Sequence, residues 1–347
     1  MNSKKSGFMD KDAITEAFMN QYVNKGKSEQ GLAEFLRGRI VGQDDAIADV
    51  AATVFARRHN RELPRPPKDA IEGPLANFLF VGPPGVGKTQ MGYEISQYMF
   101  EAKAVHVKCE NLSRNADSWE AYLFGLPTGF RDTKIGYLAE NLVSAERVLL
   151  FDEAHQGPPG FFERMLSVLE KGVIPDKHRG KDIDIGKSIV VMTSNDKYED
   201  LLKIRAETED PDDRLELYWE KLLQNSQLPE PIIRRFHQII IFVPPTTQGL
   251  LDLIESAIKD RAAANRIDLH RIEVPAGTKL LGQANGQALR AGYTAVTRVV
   301  SANLDQPMRK LVKQPGFESM SYSLTLDDAG KFVFLPLKPV ESAVKGR

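Results

Sequence analysis

The chain has 347 residues, of which 42% are hydrophobic and 27% charged, the composition of an ordinary globular protein. Its formal net charge of -1 gives no general electrostatic reason to expect DNA or RNA as the main partner. The single cysteine, Cys109, excludes an intrachain disulfide, and no apolar run is long enough to span a membrane, so we expect a cytoplasmic protein.

Residues 1–31 are polar and carry no strong pattern, and we expect them to form an extension that contacts a partner or adaptor. From 32 to 245, short apolar runs alternate with helical stretches, a pattern typical of parallel strands covered by helices on both faces. The strands predicted for this large domain are Phe78–Val81, Ala104–Cys109, Val148–Phe151, Ser188–Met192 and Ile239–Val243.

The pattern changes after Pro244 and Pro245, and residues 246–347 are predicted to form a small second domain. Two helices and a terminal hairpin of two strands are expected there, at Leu250–Ile267, Ala291–Leu311, Ser321–Leu326 and Lys331–Leu335. The sequence therefore predicts an α/β fold with a small C-terminal domain.

A glycine-rich segment follows the first predicted strand and opens a helix. It reads Gly82-Pro83-Pro84-Gly85-Val86-Gly87-Lys88-Thr89 and fits the pattern G-x-x-x-x-G-K-[ST]. Its glycines let backbone N–H groups point around phosphates, and the helix N-terminus adds positive charge. We expect Lys88 to reach the β- and γ-phosphates of ATP and the Thr89 hydroxyl to bind Mg²⁺.

Two carboxylates follow the buried strand Val148–Phe151, at the strand end where open α/β sheets bind ligands. We expect Asp152 to hold Mg²⁺ through water and Glu153 to orient or activate the attacking water. Asn195 follows another buried strand and is a candidate to hydrogen-bond the water or the γ-phosphate. A plain asparagine turn is the alternative there.

These elements, in this order, resemble the AAA+ superfamily, and over about 32–336 they are similar to the second ATPase module of Clp disaggregases and unfoldases. The resemblance implies a P-loop fold with a five-stranded parallel sheet and a small C-terminal α+β lid domain, with ATP bound between them. It also implies that Ile40 and Val41 contact the adenine and that Asn195 is the first sensor residue.

The resemblance places an arginine finger in the segment Leu228–Phe236. Counting from Pro229 selects Arg234, and counting back from Phe242 selects Arg235, so both remain candidates. Because such an arginine stabilises charge on a neighbour's γ-phosphate, the resemblance implies a homo-oligomeric ring, most often a hexamer.

In the family, an aromatic residue between glycines lines the ring pore and grips polypeptide, and Phe130 matches it. Arg131 follows, where the family usually has a small or apolar residue. Residues 177–181 fall where a second pore loop would lie, and a solvated turn is the alternative.

Two departures from the family pattern bear on activity and partners. Thr294 stands at the second-sensor arginine, and Arg298 is the candidate to replace it at the nucleotide. Residues 196–228 lack the tripeptide that docks the Clp peptidase, so we do not expect that partner. Their acidic residues predict either a loop that binds a partner or adaptor, or a solvated loop.

The resemblance implies an ATP-driven motor that remodels polypeptide substrates and uses Mg²⁺. Two alternatives remain at this point. One is a nucleotide-controlled scaffold or motor of a secretion or mobile-element assembly, which the missing second-sensor arginine favours. The other is a nucleic-acid remodelling ATPase, which the near-neutral charge disfavours.

Overall fold

The computed structural model describes residues 27–63, 73–113, 116–128, 134–142 and 146–337. Within these ranges the chain forms a five-stranded sheet, a three-stranded sheet and a two-stranded hairpin. No helix in the described ranges is both long and apolar enough to cross a membrane.

The chain's first seven strands build the largest sheet and the hairpin. They are β1 (Ala76–Val81), β2 (Val105–Lys108), β3 (Val148–Asp152), β4 (Val173–Asp176), β5 (Lys181–Asp184), β6 (Ile189–Ser194) and β7 (Gln238–Ile241). The largest sheet has the order β2-β3-β6-β1-β7, and all of its strands run parallel. Every residue of β1 and β6 is buried, which explains their nearly continuous apolar sequences. The predicted five-stranded parallel sheet is therefore confirmed.

Helices cover both faces of this sheet. They are α1 (Glu29–Arg37), α2 (Asp44–Glu62), α3 (Lys88–Phe100), α4 (Ala116–Phe124), α5 (Tyr137–Asn141), α6 (Phe161–Lys171), α7 (Tyr198–Glu207), α8 (Pro211–Asn225) and α9 (Glu230–Ile233). Successive side chains of a strand point to opposite faces. Phe78 and Phe80 of β1 therefore join the core beneath α1, α2 and α3, and Leu79 and Val81 join the core beneath α4, α6 and α8.

The acidic segment 196–228 was predicted as a loop, and this prediction is wrong because the segment contains α7 and α8. The Asp210 carboxylate caps α8 by accepting hydrogen bonds from the backbone N–H groups of Asp212 and Asp213, at 2.9 and 3.1 Å. Leu222 of α8 is buried in the core. The acidic residues thus mark a helix start, where negative charge is stabilising.

The C-terminal part has a hydrophobic core of its own, which includes Leu250, Leu280 and Leu324. Its elements are α10 (Thr247–Ala264), β8 (Asp268–Ile272), α11 (Val274–Val312), β9 (Ser321–Leu326) and β10 (Phe332–Pro336). Strand β9 pairs antiparallel with β10, as the predicted hairpin requires, and parallel with β8.

Two helices begin earlier than expected, and one strand was not expected. Helix α1 begins at Glu29, inside the predicted N-terminal extension, because the Ser28 hydroxyl caps it by accepting from the N–H of Gly31 at 3.0 Å. Helix α11 begins at Val274 rather than Ala291, since burial of residues such as Leu280 outweighs the weak helix propensity of nearby glycines. Strand β8 was not predicted, because it is mostly exposed and lacks a buried apolar run.

Candidate nucleotide-binding site

A cavity of about 710 Å³ lies at the carboxyl ends of β1 and β3, where open parallel sheets bind ligands. The predicted glycine-rich loop and the start of α3 line one side of it, and residues of α10 line another. Gly85 and Gly87 have φ angles of +75° and +102°, the left-handed region that favours glycine. The loop can therefore turn sharply into the N-terminus of α3, where backbone N–H groups and the helix dipole attract anions.

Lys88 lies at the base of this loop with its side chain almost fully buried. Its ammonium donates hydrogen bonds to the carbonyl oxygens of Gly82 and Pro83, at 2.7 and 2.8 Å. Burial lowers the pKa of Lys88 to about 8, against the opposing effect of the nearby Glu153 and Asp152 carboxylates. The cavity thus holds a cation close to two carboxylates, as a phosphate and metal site requires.

Asp152 ends β3 and is held by two hydroxyl groups. The Thr89 and Thr193 hydroxyls donate hydrogen bonds to its Oδ1 atom, at 2.9 and 2.6 Å. Burial raises the pKa of Asp152, but hydrogen bonds from His106, Thr193 and Thr89 outweigh it and bring the pKa to about 2. The His106 contribution is the weakest geometrically, because its Nε2 atom lies 3.5 Å from Oδ2. Thr89 and Asp152 place hard oxygen donors side by side, and such a set fits Mg²⁺.

Glu153 follows in a left-handed backbone conformation, with φ of +51°. A left-handed non-glycine residue is strained, and such residues cluster at functional sites. Its backbone N–H donates to the Thr193 hydroxyl at 2.9 Å, so Thr193 joins the two acidic residues. The carboxylate lines the cavity, and its Oε2 atom is buried without a hydrogen-bond partner in the described part of the chain. A carboxylate in this position can accept a proton from a water molecule in the cavity.

Ile40 and Val41 also line the cavity, together with Leu253 of α10. Gln43 fixes this segment, because its side-chain amide donates to the carbonyl of Val243 at 2.8 Å and accepts from its N–H at 3.0 Å. An apolar surface held in this way suits the flat face of a nucleotide base. The two residues predicted to contact adenine are thus in the cavity that contains Lys88.

Residues 73–241 match the family described as AAA domain (Cdc48 subfamily). The chain carries an AAA+ ATPase domain. The matched range contains all five strands of the parallel sheet and the loop around Lys88. It also contains most of the residues that line the cavity. The family predicted from the motifs is thus confirmed.

The AAA+ chain is similar to several curated proteins. It is 28% identical over 331 residues to the chaperone protein ClpB of Aquifex aeolicus, which covers 89% of this chain and 31% of that protein. It is 33% identical over 177 residues to a ClpA homolog of Pyropia yezoensis, the ATP-binding subunit of an ATP-dependent Clp protease, covering 50% of this chain and 21% of that protein. The chain therefore spans about a third or less of the length of these relatives.

A solved structure shares the fold of the AAA+ chain. It is a cryo-EM reconstruction of Hsp104 in a closed state with ATPγS and FITC-casein. The two chains superpose with a TM-score of 0.70 and 21% sequence identity, over 95% of this chain and 56% of the other. At this identity the match supports the fold.

The two candidate finger arginines lie at the end of α9, outside the set of residues that line the AAA+ cavity. The Arg234 side chain is 57% exposed and pairs with Glu230 at 2.7 Å. The Arg235 side chain is 37% exposed and pairs with Glu170 at 3.2 Å. Each is therefore held by a surface carboxylate, in an ion pair of the kind that contributes little stability.

Four other predicted residues are absent from the cavity lining: Gly82 and Pro83 at the start of the glycine-rich loop, Asn195 and Arg298. Asn195 is partly buried just beyond β6, and Arg298 is exposed on α11. From α10, the described residues that line the cavity are Leu253, Ser256 and Asp260, and none of these is basic. The structure thus does not bring Arg298 to the nucleotide cavity of this chain, and the prediction that it binds the cofactor there gains no support.

The predicted pore-loop residues Phe130 and Arg131 lie outside the described residues. The loop is closed at its base, where the N–H of Leu126 donates to the carbonyl of Lys134 at 3.1 Å. The predicted second pore loop is the turn between β4 and β5, and its Lys177 N–H donates to the carbonyl of Phe124 at 2.9 Å. The described base of the first loop therefore lies beside the start of the second.

Sequence reasoning missed Thr193, which bridges Asp152 and Glu153, and it missed His106 beside Asp152. His155, two residues after Glu153 in the sequence, has its Nε2 atom 3.5 Å from Glu153 Oε2. The available signal for Thr193 was a polar residue inside an apolar strand. No local pattern identifies His106, because parallel pairing of β2 with β3 brings it to Asp152.

Proposed function

We propose that the chain is an ATP-driven motor that hydrolyses ATP with Mg²⁺, works as a ring and remodels polypeptide substrates. The observation that carries this proposal is the single cavity that contains Lys88, Thr89, Asp152 and Glu153. Similarity to ClpB over 89% of the chain supports the choice of polypeptide as substrate. The lone Cys109, which is buried, is consistent with work in the cytoplasm.

The residues of the cavity can share the work of hydrolysis. Lys88 and the N–H groups of the glycine-rich loop bind the phosphates and hold them in place. Thr89 and Asp152 would hold Mg²⁺, which would neutralise charge on the phosphates. Glu153 orients a water molecule for in-line attack on the γ-phosphorus and accepts its proton as the bond to ADP breaks. Ile40 and Val41 hold the base.

The proposed ring supplies the remaining positive charge. Arg234 or Arg235, at the surface end of α9, would reach the γ-phosphate of a neighbouring copy and stabilise the transition state. Their weak pairing with surface carboxylates leaves them free to exchange partners at low cost. Asn195 would act as the first sensor after rearrangement of the residues beyond β6.

Polypeptide would be gripped by Phe130 and Arg131 in the ring pore, with the β4–β5 turn beside them. In that turn Arg179 pairs with Asp176 and Lys177 pairs with Glu120, so most of its charge is already balanced. A largely neutral second loop suits substrates of varied sequence. An adaptor would bind residues 1–31 or the α7–α8 pair, and we expect no docking to the Clp peptidase.

A second function has one observation in its favour. The wall of the cavity formed by α10 carries Asp260 and no basic residue among those described, and Thr294 stands at the second-sensor position. A motor that senses the γ-phosphate from its lid uses a cation there. A cavity wall without this cation would favour slow hydrolysis, which suits a nucleotide-controlled scaffold.

Steady-state ATP hydrolysis separates these functions. We would measure the wild type, Glu153→Gln and Phe130→Ala, each alone, with casein and with single-stranded DNA. Met320→Ala serves as a control, because Met320 is an exposed apolar residue of the C-terminal part. The motor proposal predicts that casein raises the wild-type rate. Phe130→Ala should still hydrolyse ATP but show no increase with casein, and Glu153→Gln should be inactive.

Other outcomes would redirect the assignment. Stimulation by DNA but not by casein would contradict the polypeptide motor and favour a nucleic-acid motor. A low rate that neither polymer changes would favour the scaffold. Full activity of Glu153→Gln would remove the proposed role of that residue.

A further inference from the structure

The carboxylate of Glu153 has an unsatisfied buried oxygen, and the ring of His155 lies close to that oxygen. Its Oε2 atom is buried and has no hydrogen-bond partner within the described ranges. The Nε2 atom of His155 lies 3.5 Å from that oxygen. This separation is long for a hydrogen bond, but catalytic hydrogen bonds are often long without substrate and shorten when it binds. A buried acceptor without a donor is costly, so a small ring movement toward it is favoured.

The second nitrogen of the same ring is also engaged. The His155 side chain is only 6% exposed, and its Nδ1 atom lies 3.1 Å from the Ser194 hydroxyl. That hydroxyl, at the buried end of β6, accepts a hydrogen bond from the N–H of Asp196 at 3.0 Å. A hydroxyl has one proton to donate, and donation to Nδ1 satisfies both groups. The ring proton then sits on Nε2, which faces Glu153.

The same chain of hydrogen bonds continues to the segment that carries the candidate finger arginines. Oδ2 of Asp196 accepts from the Ser226 hydroxyl and from the N–H of Gln227, both at 2.7 Å. Residues 226–229 lead directly into α9 and Arg234. His155 is therefore held by Ser194 of β6. Through Asp196 it is also linked to residues 226–229, which follow α8.

We propose that His155 is a positioning residue for Glu153, whose carboxylate it holds through an Nε2–H donor that Ser194 orients. This inference rests on the proposed role of Glu153 in activating water. With Oε2 held by His155, Oε1 is the oxygen left to accept the proton from water. Because the Glu153 backbone is already fixed by Thr193, the histidine restrains the part of the residue that can still rotate.

Three substitutions at one position test the donor directly. Gln can present an N–H near the place of Nε2, Asn can present one only near the place of Nδ1, and Ala presents none. We would measure kcat and KM for ATP, and the affinity for a fluorescent ADP, in His155→Gln, His155→Asn and His155→Ala of the full chain. His270→Ala is the control, because His270 is exposed on β8.

The expected result is a loss specific to kcat. His155→Ala and His155→Asn should lower kcat by about tenfold, the usual scale for losing a group that orients a functional side chain. His155→Gln should stay within about threefold of the wild type, and KM and ADP affinity should change little in all three. Unchanged ADP affinity also shows that each variant is folded.

Two outcomes would overturn the proposal. One is wild-type kcat in both His155→Ala and His155→Asn while Glu153→Gln is inactive, which would leave the role of Glu153 intact. The other is an equal loss in all three variants, since the donor near Nε2 would then have no special effect. An active Glu153→Gln would instead refute the proposed function itself.

Discussion

Two sets of charged residues in this molecule differ in how they are held. Lys88, Asp152 and Glu153 are largely buried around one cavity, and neighbouring hydroxyl and carbonyl groups fix them. Arg234 and Arg235 lie at the surface end of α9, and each is paired with a single surface carboxylate. The first set is held in place by groups of the same chain, whereas the second set lies at the protein surface.

This contrast bears on how the catalytic site becomes complete. The buried set is positioned by the ends of strands in one parallel sheet and by the N-terminus of α3, which follows β1. The exposed Arg234 and the partly exposed Arg235 each make only a weak local ion pair, so a stronger anionic partner can displace the paired carboxylate. We infer that one copy supplies the nucleotide cavity and that a neighbouring copy supplies the transition-state cation.

The largest effect is expected from removal of Lys88. Lys88→Met should abolish detectable ATP binding and hydrolysis, because the phosphates lose the cation that lies in the glycine-rich loop near Asp152 and Glu153. Fluorescent-nucleotide titration checks the loss of binding. Glu153→Gln is the matched control, and it should bind ATP normally while losing hydrolysis. Normal binding by Lys88→Met would contradict the cavity assignment.

The finger arginine should give the next largest effect. Arg234→Ala and Arg235→Ala should both keep nucleotide binding, and one of them should lower kcat by about 1,000-fold, as finger arginines do elsewhere. Arg266→Ala is the control, because the Arg266 side chain is 83% exposed in the C-terminal part. If neither variant loses activity, the segment at the end of α9 is not the source of the missing cation.

Loss of the Thr193 hydroxyl should have a smaller effect within the buried set. Thr193→Val keeps the shape but removes the donor to Asp152 and the acceptor for the Glu153 N–H. We expect a decrease in activity of about tenfold with a higher Mg²⁺ requirement. A destabilisation of about 1–3 kcal/mol should follow from the unsatisfied buried groups. Activity titrated against Mg²⁺ and denaturant unfolding check both, and an unchanged Mg²⁺ requirement would contradict the bridging role.

The last effect concerns stability against pH and leaves catalysis unchanged. Burial, helped by Arg57 and Arg61, lowers the pKa of His237 from 6.5 to about 4 in the folded chain. Between these values the unfolded chain binds the proton and the folded chain does not, so stability should fall as the pH drops from about 6.5 to 4. By linkage the full loss is about 3 kcal/mol.

His237→Gln should flatten this dependence, because Gln does not titrate and can still accept from the N–H of Asn77, which His237 Nδ1 now does at 2.8 Å. Urea unfolding at a series of pH values measures it, with His59→Gln, an exposed position, as the control. An equally steep dependence in His237→Gln would show that another group causes the acid sensitivity.

The parts of the fold that the sequence predicted are those set by local patterns. Buried parallel strands such as β1 and β6 are apolar runs, and the loop around Lys88 has a fixed spacing of glycines. The β9–β10 hairpin is likewise marked by a turn sequence. Strand β8 was missed because exposed strands carry no apolar signal. Helices α7 and α8 were missed because the acidic residues near their first turns resembled a solvated loop.

The candidate site divides in the same way. The glycine-rich loop could be predicted from its fixed spacing of glycines and Lys88. Asp152 and Glu153 could be predicted because they directly follow an apolar strand. The partners His106, Thr193 and His155 could not, because they meet the carboxylates through strand pairing and tertiary packing. The predicted role of Arg298 at the nucleotide rested on matching a family position, and the direction in which α11 presents that residue is set by packing.

Mixing of inactive variants tests the shared site most directly. We would combine equal amounts of Glu153→Gln with a variant carrying both Arg234→Ala and Arg235→Ala, and measure ATP hydrolysis. If the arginine acts on a neighbour, random mixing pairs an intact Glu153 with an intact arginine at one interface in four, and up to roughly a quarter of the wild-type rate should return. A mixture no more active than the average of its two components would contradict a site completed by a second copy.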